Sequence, residues 1–316
     1  MKRGQLRQWD LPTLLCTVPG RKHFHYPLAK HTSFRIGGPA DALVQVEDIE
    51  ALKQVQAIAQ RYEIPLFILG GGSNLLIRDG GLRGIVVSLC GAFRTYRVAR
   101  CTTPSSPTVA LVHAGVGYSL SRLAVNLARR GWSGLEFAYG IPGTLGGAMV
   151  MNAGTYLGDL RQVMVAACML LANGREHELP VDALGLRYRG SSYPAQAILL
   201  GATIRVHQGE RAAIEATMRA SYARRRQTQP LWLPNAGSIF KNPPGMAAAR
   251  LIDDLGLKGT RIGGAMVSPV HANFIVNIDH ATAADVEALI TLIRERVQQA
   301  YGIELELEVH IVGEEG

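Results

Sequence analysis

Cysteine is scarce in this sequence, and the four residues present do not form a redox or zinc motif. They are Cys16, Cys90, Cys101 and Cys168, and no two of them have the Cys-X-X-Cys spacing. Neither their spacing nor the length of the chain is typical of a small disulfide-stapled protein. We therefore expect reduced, mostly structural thiols in a cytoplasmic protein. No metal site is predicted, because no metal-ligand spacing occurs.

Long apolar runs are also absent. The longest, at residues 163–172, has ten residues, about half of what a membrane-spanning helix needs. Near the N-terminus, basic residues are followed by Asp10 and Pro12, which make a poor signal peptide. The sequence therefore predicts no membrane partner. We treat residues 1–26 as an N-terminal extension whose order the sequence leaves open.

Acidic residues are fewer than basic ones, which gives a formal net charge of +8 and an isoelectric point near 9.5. The basic residues are scattered, apart from Arg94, Arg97 and Arg100 and the run at 224–226. No stretch interleaves them with aromatic side chains in the manner of a nucleic-acid surface. This pattern argues against a nucleic-acid partner and favours small polyanionic ligands.

Glycine, in contrast, is abundant, and the first cluster is the motif LGGGSN at residues 69–74. Backbone N–H groups can approach a pyrophosphate only where side chains are absent, and glycine also allows turns with positive φ. Ser73 and Asn74 would add side-chain donors. The motif is neither a Walker loop nor Gly-X-Gly-X-X-Gly. A tight hairpin loop without a ligand is the alternative interpretation.

The second cluster is denser, with seven glycines between Gly131 and Gly154, where average usage predicts about two in such a stretch. Glu136 is its only charged residue. A flat aromatic ligand could lie against such a backbone, and close packing of backbone segments at a domain junction is the alternative. Two glycine-rich segments on successive units suggest one long ligand that bridges both, and a dinucleotide has that length.

Hydrophobic periodicity divides the rest of the chain into three units, which we expect at residues 27–95, 96–207 and 208–316. In the first unit a strand at 40–46 precedes a helix that Asp48 opens. The apolar face of this helix is predicted at Leu52, Val55, Ala59 and Tyr62. The second unit contains a helix capped by Ser119, followed by strands, and the whole chain therefore mixes helix and strand.

The third unit is predicted to contain a long helix and a final strand. Thr282 and Asp285 resemble the capping box that begins a helix. The last segment, IELELEVHIV at 303–312, alternates strictly between apolar and polar residues, which predicts one continuous strand. Its polar face carries Glu304, Glu306, Glu308 and His310.

Several side chains are candidates for chemistry, and each also has an ordinary structural interpretation. Ser238 follows a glycine in NAGSIFKNP at 235–243, where it either caps a turn or exchanges a proton at the edge of a pocket. Arg189 and Lys241 suit an anionic substrate or are solvated surface cations. Periodicity does not distinguish Glu308 from Glu306.

Seven segments in order resemble one known family. They are HTSFRIGGPAD, LGGGSNLL, GIPGTLGGAMVMNAG, YRGSSYP, NAGSIFKNP, LIDDLGLKGTRIGGAMVSPVHANFIVN and LELEV. Together they closely resemble the UDP-N-acetylenolpyruvoylglucosamine reductase (MurB) family, and the likeness runs from about Leu28 to Val312. One such motif is weak evidence, whereas seven in the same order are highly specific.

The resemblance implies an α+β fold: a two-subdomain FAD-binding fold of the vanillyl-alcohol-oxidase (PCMH) type, and a C-terminal α+β domain that closes over the substrate. It implies FAD bound without a covalent link and NADPH as hydride donor. The hydride passes through the flavin to the enolpyruvyl group of UDP-N-acetylenolpyruvoylglucosamine. The product is UDP-N-acetylmuramate, a peptidoglycan precursor.

The resemblance also assigns roles to residues. Ser238 is implied as the proton donor, and Arg189 and Glu308 as the groups that stabilise the enolate, with Glu308 protonated during the reaction. Substrate contacts are implied, with less certainty, for Tyr156, Lys241 and Asn242. The cofactor-binding residues expected in the two glycine-rich segments are Gly70, Gly71, Gly72, Ser73, Asn74, Leu75, Gly140, Ile141, Pro142, Gly143, Gly146, Gly147, Asn152, Ala153 and Gly154.

The sequence departs from one branch of the family. Some members insert a long loop after the Tyr-Arg motif, with a tyrosine that clamps the substrate, whereas here YRGSSYP leads directly into a predicted strand. The chain therefore resembles the shorter class, and we expect it to act as a monomer. An FAD-dependent oxidase of the same fold and a non-enzymatic nucleotide-binding module are the alternatives that experiment must separate.

Overall fold

The computed structural model describes residues 9–100, 109–194 and 196–316. Its α-helices are α1 (Leu11–Leu14), α2 (Ile49–Arg61), α3 (Leu120–Ala128), α4 (Leu145–Val150), α5 (Arg211–Thr228), α6 (Ala248–Asp254) and α7 (Ala283–Tyr301). Its first strands are β1 (Arg21–Pro27), β2 (Pro39–Val46), β3 (Leu66–Ile68), β4 (Leu75–Ile77), β5 (Leu82–Leu89), β6 (Tyr96–Arg100), β7 (Val109–Gly115) and β8 (Trp132–Ser133). The remaining strands are β9 (Gly154–Thr155), β10 (Gly158–Asp159), β11 (Met164–Leu170), β12 (Glu176–Pro180), β13 (Ile198–Gln208), β14 (Arg261–Ile262), β15 (Ala265–Val267), β16 (Ile275–Asn277) and β17 (His310–Val312). Cys101 and residues 1–8 of the expected extension lie outside the described residues.

The first unit is a four-stranded sheet with the order β1-β2-β5-β3, covered by α2. Helix α2 begins where expected, because the Asp48 carboxylate accepts a hydrogen bond from the Ala51 N–H. Leu52 and Val55 on its inner face are fully buried, and each contributes about 1.5–3 kcal/mol of hydrophobic stabilisation. Tyr62, expected on the same face, is instead the residue at which the helix ends and is exposed.

Residues 9–27 are built into this unit. Strand β1 pairs with β2 in antiparallel register along its length. Leu11, Leu15 and Val18 are buried in the same core as α2. The Trp9 indole donates a hydrogen bond to the Tyr62 carbonyl at 3.2 Å. From Trp9 onward, the segment that the sequence left open is therefore folded against the first sheet.

The second unit is an antiparallel sheet with the order β12-β11-β13-β7-β6, and β8 pairs with β13. Ser119 caps α3 by accepting a hydrogen bond from the Arg122 N–H. Helix α2 of the first unit docks on the β11–β12 turn. There the Gln56 and Gln60 amides donate to backbone carbonyls of residues 171 and 172, at 3.2 and 2.7 Å. The two units therefore share a polar contact outside their cores.

The third unit packs α6 and α7 on the small sheet β14-β15-β16. Its long helix begins at the capping box that the sequence predicts: the Thr282 side chain accepts from the Asp285 N–H, and the Asp285 carboxylate accepts from the Thr282 N–H. It ends at Gly302, whose φ of +68° is the left-handed conformation in which glycine is favoured. Val286, Leu289, Ile293 and Val297 are all buried.

The predicted strand at 303–312 is only partly correct. Leu307 forms one isolated antiparallel bridge with Phe240, and a regular strand exists only at β17. Burial still alternates, since Leu305 and Val309 are buried while Glu304 and Glu306 are exposed. The alternation reports which side chains face the core, but a ladder also needs a partner strand, and β17 finds one elsewhere.

That partner is β4, the strand directly after the first glycine-rich loop. Strand β17 pairs with it in parallel, so the third unit is fastened to the first. Beside this pair, the Arg78 guanidinium makes two hydrogen bonds to the Glu287 carboxylate, both at 2.9 Å. Asp79 accepts from the N–H groups of residues 283 and 284 at the start of α7. No helix in the described part of the chain is long and apolar enough to cross a membrane.

Candidate active site

The two glycine-rich segments lie against each other, backbone to backbone. A Cβ placed on Gly71 would be 2.6 Å from the Cα of Gly143, so neither loop has room for a side chain here. The Ser73 hydroxyl donates to the Pro142 carbonyl across the same contact at 3.1 Å. The interpretation of close backbone packing at a junction therefore accounts for some of these glycines.

Other glycines border a cavity between the first two units. Its wall includes Gly70 from the first glycine-rich segment and Gly146 and Gly147 from the second. Most of the remaining wall is apolar, and Arg94 supplies a cation. A long, partly anionic ligand fits this combination of bare backbone, apolar side chains and one guanidinium.

Sequence reasoning missed part of this wall. Val116, Gly117, Ser88 and Tyr193 line the cavity and were not predicted. They come from strand ends and connecting segments that carry no glycine cluster, so composition gave no signal for them. Arg94 was noted only as one of three scattered basic residues.

Arg189 and Glu308 form an ion pair beside the second glycine-rich segment. Their Nε and Oε1 atoms are 2.8 Å apart, and the two side chains are 23% and 16% exposed. The Arg189 Nε–H is not directed at this oxygen and has no hydrogen-bond acceptor among the described residues. We therefore treat the contact as a charge interaction. Another arm of the guanidinium donates to the Gly154 carbonyl at 3.2 Å.

A bulge in the backbone presents Glu308. The N–H groups of Glu308 and Val309 both donate to the Ile239 carbonyl, at 2.8 and 3.3 Å, so two residues oppose one. Such a bulge bends the chain and redirects a side chain. Glu306, the alternative that periodicity left open, is exposed and pairs with Lys241 at 3.1 Å.

Burial raises the pKa of the Glu308 carboxyl, and this effect exceeds the opposing effects of the Arg189 and Lys241 charges. Removal from water disfavours the ionised carboxylate even with a cation close by. A glutamic acid with a raised pKa remains protonated to a higher pH than an exposed one. This environment is consistent with the role of hydrogen-bond donor that the resemblance implies.

Ser238 lies in a turn that is fixed from both sides. Asn235 accepts from the Gly237 N–H at 2.9 Å, and the Ser33 hydroxyl donates to the Asn235 carbonyl at 2.6 Å. The next residue, Ile239, provides the carbonyl that receives the Glu308 bulge. The half-buried Ser238 hydroxyl has no hydrogen-bond partner in the described ranges, so it caps nothing locally.

The three expected substrate contacts have different surroundings. Lys241 is close enough to lower the pKa of both Glu308 and His310. The Asn242 side-chain oxygen accepts from the Ala248 N–H at 3.0 Å, so this atom supports the start of α6. Tyr156 is 61% exposed.

Two further residues near the site were not singled out by sequence reasoning. His310 Nε2 lies 3.1 Å from the Met151 sulfur. Burial lowers the pKa of His310, and the Lys241 charge lowers it further. Arg225 packs against Gly140. Burial lowers the pKa of this guanidinium, and its Nη1 has no partner among the described residues. The run of three arginines was the only signal for it.

Comparison with known proteins follows the same division of the chain. Residues 40–180 match the FAD binding domain, and residues 229–312 match the C-terminal domain of UDP-N-acetylenolpyruvoylglucosamine reductase. The chain is 46% identical over 296 residues to UDP-N-acetylenolpyruvoylglucosamine reductase 2 of Symbiobacterium thermophilum, covering 93% of each chain. It is 44% identical over 288 residues to the reductase of Anaeromyxobacter dehalogenans strain 2CP-1, covering 91% of this chain and 84% of the relative.

A solved structure agrees with these matches. The reductase (MurB) of Thermus caldophilus superposes with a TM-score of 0.78 at 36% identity, covering 93% of this chain and 98% of that one. The fold and the site thus define an FAD-binding oxidoreductase of the α+β class. The chain belongs to the UDP-N-acetylenolpyruvoylglucosamine reductase (MurB) family. Strand β13 begins at Ile198, soon after Arg189, so the chain has the short connection expected of the shorter class.

Proposed function

We propose that this protein reduces the enolpyruvyl group of UDP-N-acetylenolpyruvoylglucosamine to give UDP-N-acetylmuramate, with FAD as cofactor and NADPH as hydride donor. The observation that carries the proposal is the Arg189–Glu308 pair, held at 2.8 Å beside a glycine-lined cavity. Arg189 and Glu308 suit an anionic intermediate, and the unpartnered Ser238 hydroxyl suits a proton donor. This reaction supplies a precursor for peptidoglycan and hence for cell wall growth, cell shape and division.

The residues around the cavity fit FAD. Gly70, Gly146 and Gly147 would let the cofactor approach the backbone, and Arg94 would face one of its anionic groups. Of the other expected cofactor residues, Gly71, Ser73, Pro142 and Gly143 form the contact that holds the two loops together. Bound FAD accepts a hydride from NADPH and delivers it to the methylene carbon, C3, of the substrate.

The chain's own residues handle the charge and the proton. Once C3 carries the hydride, negative charge at C2 spreads onto the substrate carboxylate as an aci-enolate. The Arg189 guanidinium stabilises that charge, and the protonated Glu308 carboxyl donates a hydrogen bond to it. The Ser238 hydroxyl then donates its proton to C2, which completes the saturated product.

Cations next to the site suit the diphosphate of the UDP-sugar. Arg224 lies 4.7 Å from the ring of Tyr156, and the buried Arg225 lacks an anionic partner among the described residues. An unpaired buried cation is costly unless a ligand neutralises it. We place the UDP portion near these residues, with Lys241 and Asn242 on the opposite side of Ser238 as further contacts.

Further parts of the proposal concern the protein's organisation. We propose functional units at residues 27–95, 96–207 and 208–316, preceded by the segment 1–26. We also propose a cytoplasmic monomer without nucleic-acid or membrane partners. The support is the scattered basic charge, which matches small polyanions such as FAD, NADPH and the UDP-sugar.

The first test is an anaerobic visible spectrum of the purified protein. We expect a yellow protein that bleaches with NADPH and regains its colour when UDP-N-acetylenolpyruvoylglucosamine is added. If the protein bleached but stayed reduced until air was admitted, an FAD-dependent oxidase of the same fold would replace our proposal. A protein unable to take up FAD would refute the assignment of both glycine-rich segments.

A further inference from the structure

Each glycine-rich motif contributes an asparagine, Asn74 and Asn152, and neither residue lines the cavity between the first two units. Both were expected to bind the cofactor. In the structure, both side chains hold segments of backbone that carry the ion pair of the active site. The two contacts span 234 and 35 positions of sequence, so neither is a feature of the local turn.

Asn74 holds the segment that carries Glu308. Its side-chain amide donates to the Glu308 carbonyl at 2.9 Å, and its own carbonyl accepts from the His310 N–H at 3.0 Å. The bulge at Glu308 is therefore fixed from two sides, by Ile239 and by Asn74. Strand pairing between β4 and β17 starts at the next residue pair and extends this anchorage.

Asn152 holds the turn that carries Arg189. It is 2% exposed, and its amide donates to the Arg187 carbonyl at 3.2 Å while its side-chain oxygen accepts from the Arg161 N–H at 2.9 Å. Arg187 and Gly190 exchange two backbone hydrogen bonds around Arg189. Arg189 has a φ of +51°, and Asn152 itself has a φ of +41°. Such left-handed residues persist only where their surroundings hold them.

We propose that Asn74 and Asn152 are positioning residues: they place Glu308 and Arg189 at the distance and orientation that enolate stabilisation requires. This inference rests on the proposed function, because it assigns the two asparagines to the step in which the UDP-sugar is reduced. Catalytic geometry tolerates little displacement, and a misplacement of about 1 Å can cost roughly 100-fold in rate. The two asparagines therefore link the cofactor motifs to the groups that act on the substrate.

The experiment separates the two half-reactions in an anaerobic stopped-flow instrument. The unaltered protein is measured first; if its reduced flavin is not reoxidised by UDP-N-acetylenolpyruvoylglucosamine, the proposed function fails, whatever the variants do. Given that reoxidation, we expect Asn74→Ala and Asn152→Ala to retain FAD and to bleach with NADPH within about two-fold of the unaltered rate. Reoxidation by the UDP-sugar should be slowed roughly 100-fold in each.

Matched variants separate the side chain from the backbone. Asn152→Gly permits the same positive φ and removes the side chain, so it should be as slow in reoxidation as Asn152→Ala. Asn126→Ala removes another half-buried asparagine bond in the same unit, to the Tyr118 hydroxyl at 2.8 Å, and should behave normally. If an alanine variant does not fold, the nearly isosteric Asn74→Asp and Asn152→Asp take its place, because each removes only the donor.

A pH profile supplies a readout that a merely structural role would not change. Arg189 lowers the pKa of Glu308, so displacement of Arg189 in Asn152→Gly should move the Glu308 limb of the reoxidation profile to higher pH. Glu308→Gln identifies that limb by removing it. The proposal is wrong if the variants lose FAD or slow flavin reduction as much as reoxidation, and equally wrong if both half-reactions and the profile remain normal.

Discussion

At the scale of single residues, the site depends on one carboxyl group held in an unfavourable place for its charge. Burial raises the pKa of Glu308 although Arg189 lies beside it. The protonated form is the one that donates a hydrogen bond to the enolate. As pH rises through the raised pKa, the carboxyl ionises and this donor is lost.

We therefore expect reoxidation of the reduced flavin by the UDP-sugar to slow as pH rises through the raised pKa of Glu308. Glu308→Gln carries a neutral amide, so its reoxidation should lose this pH dependence and be slower by roughly 100- to 1,000-fold. Stopped-flow reoxidation over a range of pH is the measurement. An unchanged limb in the variant would remove Glu308 from this role.

Ser238→Ala should separate the two half-reactions. Bleaching by NADPH does not need a proton donor for C2 and should continue at the normal rate, whereas reoxidation by the UDP-sugar should fall by roughly 100- to 10,000-fold. Ser133→Ala is a control, because that hydroxyl binds Glu136 away from the ion pair. Normal reoxidation in Ser238→Ala would show that another group delivers the proton.

Glu308 also shows how far sequence reasoning reaches at this scale. Periodicity placed Glu306 and Glu308 on one polar face and could not choose between them. The family resemblance chose Glu308, and the bulge at Ile239 supplies a physical reason, since it directs a half-buried Glu308 toward Arg189. His310 and Arg225 had no comparable local signal, because their surroundings come from distant segments.

At the scale of elements, helix starts were predictable because their signals are local. Asp48, Ser119 and Thr282 each accept the capping hydrogen bond that the sequence indicates. The strand predicted at 303–312 was largely wrong, because alternation identifies a buried face without identifying a hydrogen-bonding partner. The pairing of β4 and β17 shows how remote that partner can be.

The capping box of α7 gives a stability prediction. Thr282→Ala removes the side-chain acceptor for the Asp285 N–H and should lower the free energy of unfolding by about 1 kcal/mol. Thr217→Ala, an exposed mid-helix threonine in α5, is the matched control and should change it by less than about 0.5 kcal/mol. Urea unfolding followed by circular dichroism would measure both, and equal losses would contradict the capping role.

The glycine-rich segments give a second prediction at this scale. Gly71→Ala places a methyl group 2.6 Å from the Cα of Gly143 and forces the two loops apart, so both stability and FAD affinity should fall. Gly147→Ala meets only Thr144, at an ordinary 3.8 Å, and should fold normally while narrowing the cavity and weakening FAD binding. Flavin fluorescence titration and thermal unfolding compare the two, and equally stable variants would refute the packing argument.

At the scale of the whole molecule, the order of three units was predictable and their attachment was not. Composition and periodicity indicated successive units and a ligand long enough to bridge two of them. Neither indicates that the strand after the first loop pairs with a strand of the third unit, or that Arg78 and Glu287 join beside it. Such contacts depend on the complete tertiary structure, for which a single sequence carries no local pattern.

Cofactor removal should weaken the assembly as a whole. FAD that binds between the first two units stabilises the folded state by mass action, by about 2.7 kcal/mol when free FAD is at 100 times its dissociation constant. We expect the melting temperature to fall when FAD is stripped and to recover as FAD is restored. Differential scanning calorimetry on both forms checks this, and identical melting temperatures would place the cofactor outside the fold's core contacts.

The anchorage of Asn74 to Glu308 also has a consequence for biosynthesis. The two residues are 234 positions apart, so the first glycine-rich loop leaves the ribosome roughly 10 to 50 s before its partner, at about 5–20 residues per second. During that interval the loop lacks β17 and the hydrogen bonds around Glu308. Assembly of the flavin site is thus a late event on the ribosome's timetable, although its first motif is among the early parts of the chain to be made.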